Sequence, residues 1–114
     1  METVTNWAEE VRRCFGDVTR PDRLADWIRT RQEYPIGSKV SGTVVLKSPF
    51  GVWLDLGVGF PALLLVTRFK HQLEFQDYVD HGPVVGGQVD AVVFLLNDAD
   101  RQLVLTQKPL AETI

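Results

Sequence analysis

The hydrophobic period changes at Tyr34-Pro35, and no other feature limits the fold of this chain as strongly. Before that point apolar residues recur at helical intervals, the spacing of a helix with one buried stripe. After it they alternate with polar residues in short runs bounded by glycine, proline and aspartate, the pattern of half-buried strands. A chain of 114 residues has material for one modest core. The helical start, residues 1–34, must therefore dock on the strand-rich remainder, residues 35–108, with 109–114 left as a tail.

In the helical part, Asn6 stands at an N-cap position with Glu9 at capping-box spacing. Trp7, Val11, Cys14 and Phe15 follow on one stripe, and Gly16 ends it. Pro21 suits the first turn of a second helix, whose stripe is Leu24, Trp27 and Ile28 and which must stop before Pro35. The first strand is "KVSGTVVLKS", with Val40, Val44 and Leu46 on one face and Gly42 marking a bend. "FGVWLDL" is the second and, past the Gly57-Val58-Gly59 turn, "FPALLLV" the third. Residues 67–87 read as a polar loop with a short helical piece. "QVDAVVFLLND" and "QLVLTQK", joined by a turn in "NDADR", complete the set. Five short strands with a longer polar insert after the third predict a mainly β fold: a closed five-stranded barrel of the OB kind with a two-helix N-terminal extension.

The second strand poses a question. Alternation sends Val52, Leu54 and Leu56 to one face and Trp53 to the other, beside Asp55. If the aliphatics fill the barrel, Trp53 points out of it, and either another group covers the ring or a ligand stacks on it.

Composition limits the partners. The 12 basic against 15 acidic residues leave a net charge of −3, which argues against tight, sequence-independent binding to duplex DNA but leaves room for a local basic groove. The lone Cys14 agrees with a reducing compartment, and its place beside Phe15 makes it structural rather than nucleophilic. With no apolar leader and no run long enough to span a bilayer, the expected location is cytoplasmic. His71 and His81 flank Glu74, Asp77 and Asp80 without the tight pairing of metal sites. The glycine turns lack a phosphate-loop lysine, and no nucleophile, base and orienting acid assemble. Neither a metal, a cofactor nor an enzymatic activity is expected.

The run "IGSKVSGTVVLKSPFGVWLDLG", then "PALLLVT", then "GGQVDAVVFLLNDADRQLVLTQK" resembles the S1-type RNA-binding domain, the OB-fold module named for a bacterial ribosomal protein. The likeness covers about residues 35–108. It implies single-stranded RNA as ligand, with the aromatic face on Phe50 and Trp53, Leu65 at the position where the family commonly has histidine, and Asp98, Arg101 and Gln102 at the last hairpin. Lys47, Arg68, Lys70 and Arg101 would stand nearest the phosphates. On this reading a base lies on Trp53, with stacking worth about 1–3 kcal/mol per base.

The chain departs from the family at Leu65, an aliphatic in place of a ring, and at Gln102, in place of a basic residue. Residues 35–108 hold six basic against seven acidic side chains. A surface made of Phe50, Trp53 and Leu65 is also apolar enough to be a protein contact. The alternative is therefore a protein-interaction module, bound to a ribosome- or RNA-associated protein, or closed by its own helices through Trp7, Phe15 and Trp27. Monomer and weak homodimer are both compatible with the sequence.

Overall fold

The computed structural model describes residues 3–110. Its elements are α1 (Trp7–Phe15), a 3-10 turn (Pro21–Arg23) that runs into α2 (Leu24–Glu33), β1 (Lys39–Ser48), β2 (Gly51–Asp55) and β3 (Pro61–Leu65). A 3-10 turn (Val66–Arg68), α3 (Phe75–His81), β4 (Gln88–Asn97) and β5 (Gln102–Thr106) follow. The strands close in the order β1-β2-β3-β5-β4, with β3 and β5 parallel and the other pairs antiparallel. This is the five-stranded OB architecture expected from the strand count and the insert.

Closure depends on β1 serving two partners. Lys39–Thr43 pair with β4 and Thr43–Ser48 with β2, so the strand must bend where it changes neighbour. Gly42 lies at that bend: a Cβ there would come within 2.6 Å of Leu56 Cδ2 and 3.0 Å of the Asp55 carbonyl oxygen. The close approach of β2 requires the missing side chain.

One expectation about β1 needs correction. Val40, Val44 and Leu46 do not share a face, because the register slips between Val44 and Leu46. A bulge adds one residue and exchanges the two faces beyond it. Val40 and Val44 belong to the core cluster with Val52, Leu54, Leu64, Val93, Leu103 and Leu105, whereas Leu46 falls outside it and pairs with Trp53. Lys47 is correspondingly turned to the inner side, paired with Val52, and is only 1% exposed.

Tyr78 of α3 closes that end of the barrel. Lys47 Nζ donates to the Tyr78 carbonyl oxygen at 2.6 Å and sits 4.5 Å from the centre of its ring. The phenol donates to the Ser48 carbonyl oxygen at 2.7 Å. Burial lowers the lysine pKa, an effect that Asp80 partly opposes, and burial pushes the phenol of Tyr78 well above its usual range. Above about pH 10 the unfolded tyrosine ionises while the native one holds its proton, so the native state binds more protons and stability falls as pH rises, by about 1.4 kcal/mol per pH unit. Chemical-denaturation midpoints measured between neutral and strongly alkaline pH are expected to show this loss, and Tyr78→Phe to flatten it. An equal alkaline slope in the variant would assign the loss to other groups.

The two N-terminal helices are held unequally. Trp27 of α2 is 2% exposed and part of the core cluster, with its ring 5.2 Å from that of Phe60. No residue of α1 is fully buried. The expected α2 stripe is narrower than the sequence suggested, since Leu24 and Ile28 remain 47% and 46% exposed. Asn6 occupies the α1 N-cap without a side-chain cap hydrogen bond, and Cys14 is exposed. Gly16 ends α1 at φ +78°, a backbone state glycine adopts freely.

Candidate nucleic-acid interface

Pairing register builds the outer face of the barrel. Leu46, Trp53, Leu63, Val104 and Leu95 are consecutive partners across β1, β2, β3, β5 and β4. They form one apolar row with Trp53 near its middle. Phe50 stands at the start of β2 beside it, the two rings meeting edge-on at 6.3 Å. Leu65 is level with Gly51 on the neighbouring strand.

The "FG" pair has a steric meaning here. A Cβ on Gly51 would lie 2.5 Å from the Leu64 carbonyl oxygen and 2.9 Å from Leu65 Cα, both backbone atoms that cannot move aside. Gly51→Ala must therefore push β2 off β3. It is expected to lower stability by about 2–3 kcal/mol, read as a loss in thermal or urea midpoint. A midpoint within experimental error of the parent would show that the two strands adjust.

Trp53 points outward, yet it is only 1% exposed. Trp7 of α1 covers it: the two indoles are stacked, 5.7 Å apart and 15° from parallel. Phe50 meets Trp7 edge-on at 5.0 Å. The approach is guided by the Val4 amide, which donates to the Lys47 carbonyl oxygen at 2.7 Å and lays the incoming chain along the end of β1. The stack has one unsatisfied feature. Trp53 Nε1 is buried and, among the described residues, has no acceptor, which costs about 1–3 kcal/mol relative to a satisfied donor.

The last hairpin is covered as well. Asp98 accepts from Trp27 Nε1 at 2.8 Å and from Arg31 Nη1 at 2.5 Å, both on α2. Arg101, held at φ +54°, donates through Nη1 to the carbonyl oxygens of Val18 at 3.0 Å and Arg20 at 2.7 Å. Gln102 lies under α1, lining a 240 Å³ cleft with Trp7, Val11 and Val18. Arg23 fastens the linker by donating to the carbonyl oxygens of Phe15 at 2.9 Å and Gly59 at 2.7 Å, its guanidinium 4.7 Å from the centre of the Phe60 ring.

The nine residues singled out by sequence thus separate into groups. Phe50, Trp53, Asp98, Arg101 and Gln102 all meet the N-terminal extension, and Leu65 borders them on β3. Lys47 is not on this face, for the bulge puts it inside. Arg68 has its guanidinium 4.8 Å from the centre of the Phe94 ring of β4, and Lys70 lines a separate groove with Lys39. Of the extension residues that the sequence offered as cover for this face, Trp7 is the one stacked on Trp53, whereas Trp27 packs in the core against Phe60. The amphipathic stripe marked both as packing residues, but nothing in the linear order said against which ring each packs.

Among the described residues no group of three or more histidine, cysteine or acidic side chains is placed to hold a metal ion. No helix among them is long and apolar enough to cross a membrane.

A closed barrel with this strand order belongs to the OB class, and solved structures place it there independently. The chain superposes on GSP13 from Bacillus subtilis with a TM-score of 0.56 at 18% identity, over 70% of this chain and 58% of that one. It superposes on a chain of the a/eIF2alpha-aDim2p-rRNA complex from Pyrococcus horikoshii OT3 with a TM-score of 0.53 at 22% identity, over 66% and 45%. RNase R from Mycoplasma genitalium gives 0.52 at 17% identity, over 72% and 14%. At these identities the likeness shows the fold alone. No family model matches the chain. A curated relative, 4-hydroxy-3-methylbut-2-enyl diphosphate reductase from Clostridium tetani, is 29% identical over 82 residues, which are 72% of this chain and 13% of the relative.

Proposed function

We propose that this chain is a non-catalytic S1-like module that binds single-stranded RNA by base stacking on Trp53 and Phe50, and that α1 keeps the face closed until RNA displaces it. The observation that carries this reading is the near-parallel stack of Trp7 on Trp53. The platform already accepts a flat aromatic ring of about the size of a purine, in the orientation a stacked base takes. Likeness to proteins with an rRNA-bound member and a ribonuclease among them supports the ligand class. Affinity would be modest on two grounds. Trp7 competes from within the chain, and a partly populated open state reduces apparent affinity by its fraction. The hairpin cation Arg101 is also engaged by carbonyl oxygens of the extension.

The test is fluorescence anisotropy of a labelled mixed-sequence single-stranded RNA at low and moderate salt, with the parent chain, Trp7→Ala, and Trp7→Ala combined with Trp53→Ala. Salt-sensitive binding that strengthens in the first variant and collapses in the second is expected. Identical titrations for all three would remove Trp53 from the site.

A second reading is favoured by one observation: what lies on the face now is an amphipathic helix, on a row of aliphatic and aromatic side chains. A protein-recognition module would use the same surface for a helix of an RNA- or ribosome-associated partner. It is preferred if Trp7→Ala fails to bind RNA at low salt but binds a synthetic peptide spanning residues 3–16.

A further inference from the structure

The barrel region 35–108 carries six basic residues, and two of them are consumed internally, Lys47 by the Tyr78 carbonyl and Arg101 by the extension. Two of the other four meet on one surface. Lys39 at the start of β1 and Lys70 after β3 line one open groove of 740 Å³ on the outer surface. Its remaining wall includes Ser41, Gln88, Asp90 and Gln107. Arg68 precedes Lys70 by two residues, and Lys108 follows Gln107. Among the described residues none of these four cations takes part in an ion pair, and Asp90 is the carboxylate that shares the groove with Lys39 and Lys70.

The groove is built rather than incidental. Gln107 ties its sides together: its Oε1 accepts from the Lys70 amide at 3.0 Å, its Nε2 donates to the Asp90 carbonyl oxygen at 3.1 Å, and its own amide donates to the Arg68 carbonyl oxygen at 2.9 Å. Register places it as well. Thr106, Val92 and Lys39 are consecutive partners across β5, β4 and β1, two residues along β5 from Val104 of the apolar row. Arg68, whose carbonyl oxygen accepts from the Gln107 amide, has its guanidinium on Phe94 and presents it as a flat cation. None of the residues of α1 lines this groove, which therefore stays open while the aromatic face is closed.

We propose that this groove is a second nucleic-acid site, one that takes the phosphodiester backbone of a single strand on Lys39 and Lys70, with Arg68 on Phe94 as a stacking edge. Unpaired lysines on an open groove beside a flat cation are what a strand needs for sequence-independent holding. The site does not depend on displacement of α1. It gives the closed protein a way to retain RNA before the aromatic face opens.

The experiment uses the full chain, a labelled oligouridylate and a labelled oligothymidylate, titrated over a range of salt. Variants are Lys39→Gln with Lys70→Gln, the charge reversal Lys39→Glu, and Trp7→Ala as the reporter of the aromatic face. Each lost phosphate contact lowers the salt slope for single strands by about 0.7, so the double variant is expected to lose about 1.4 in slope and roughly tenfold in affinity at low salt, for both oligonucleotides. Lys39→Glu is expected to weaken binding similarly, with an unchanged circular dichroism spectrum. Unchanged slope and affinity in the double variant would overturn the proposal. So would polyglutamate competing as well as the oligonucleotide, an outcome that identifies an acidic protein segment as the occupant. The two sites fail separately: groove variants that act where Trp7→Ala has no effect leave this site standing and remove the aromatic one.

Discussion

Trp7→Ala is expected to raise single-stranded RNA affinity while leaving the barrel intact, and to expose Trp53 to collisional quenchers. The reasoning rests on how little else secures α1. The helix has nine residues, short of the length at which isolated helices persist in water. It lacks a side-chain N-cap bond and buries no residue fully. Its hold on the barrel is the stack on Trp53, the edge contact with Phe50, the Val4 amide on the Lys47 carbonyl and the packing of its stripe. Removing the Trp7 ring forfeits aromatic contact and burial worth about 2 kcal/mol, roughly thirtyfold in the open-to-closed ratio. The unsatisfied Trp53 N–H already weighs against closure, because opening lets it reach water or a ligand acceptor. Anisotropy and acrylamide quenching of tryptophan fluorescence read the two consequences independently. Greater quenching with no gain in RNA affinity would show that the face opens without being an RNA site.

Trp27→Ala is expected to do the opposite: to unfold rather than to open. Trp27 is in the core, in contact with Phe60, and its indole N–H is satisfied by Asp98. Truncating a buried tryptophan typically removes about 3–5 kcal/mol, a large part of the ~5–15 kcal/mol that holds a domain of this kind together. The melting temperature should fall by roughly 15 °C, at about 4 °C per kcal/mol for this size. Asp98→Asn separates the contributions, because the amide oxygen still accepts from Trp27 while the half-exposed pair with Arg31 is lost, a change of about 1 kcal/mol or less. If the two substitutions cost the same, the pair with Arg31 rather than the ring secures α2. A truncation that removes α1 alone is accordingly expected to stay folded. One that starts at Tyr34 deletes Trp27 and should not.

Most of the barrel was legible from residue order, for reasons that particular segments make plain. Strand alternation has a period of two, so "KVSGTVVLKS" and "QLVLT" announce themselves without tertiary help. Gly57 and Gly59, both at positive φ, and the Asp98–Arg101 turn mark the hairpins. Gly42 was readable as a bend because a strand interior rarely tolerates glycine otherwise. The outward aim of Trp53 followed from the same alternation. Lys47 was misplaced because alternation holds only while register is kept, and a bulge at Val45 leaves no clear mark in sequence. The grouping of Lys39, Lys70 and Gln107 was likewise invisible, for those residues are 31 and 37 positions apart in the chain, and pairing of β1 with β4 and β4 with β5 brings them together.

What residue order determined alone was periodic and local: five strands and two N-terminal helices, an aromatic ring sent out of the barrel on β2, and a hairpin carrying Asp98 and Arg101. Tertiary structure decided the fate of each polar and aromatic group. It placed Trp7 on Trp53, gave Asp98 to Trp27 and Arg31, turned Arg101 onto two carbonyl oxygens, sank Lys47 onto Tyr78 and brought Lys39 and Lys70 to one groove. Periodicity specifies which face a side chain is on, because that follows from the backbone geometry of a few consecutive residues. Which distant group meets that face depends on chain closure and register, and those are properties of the whole fold.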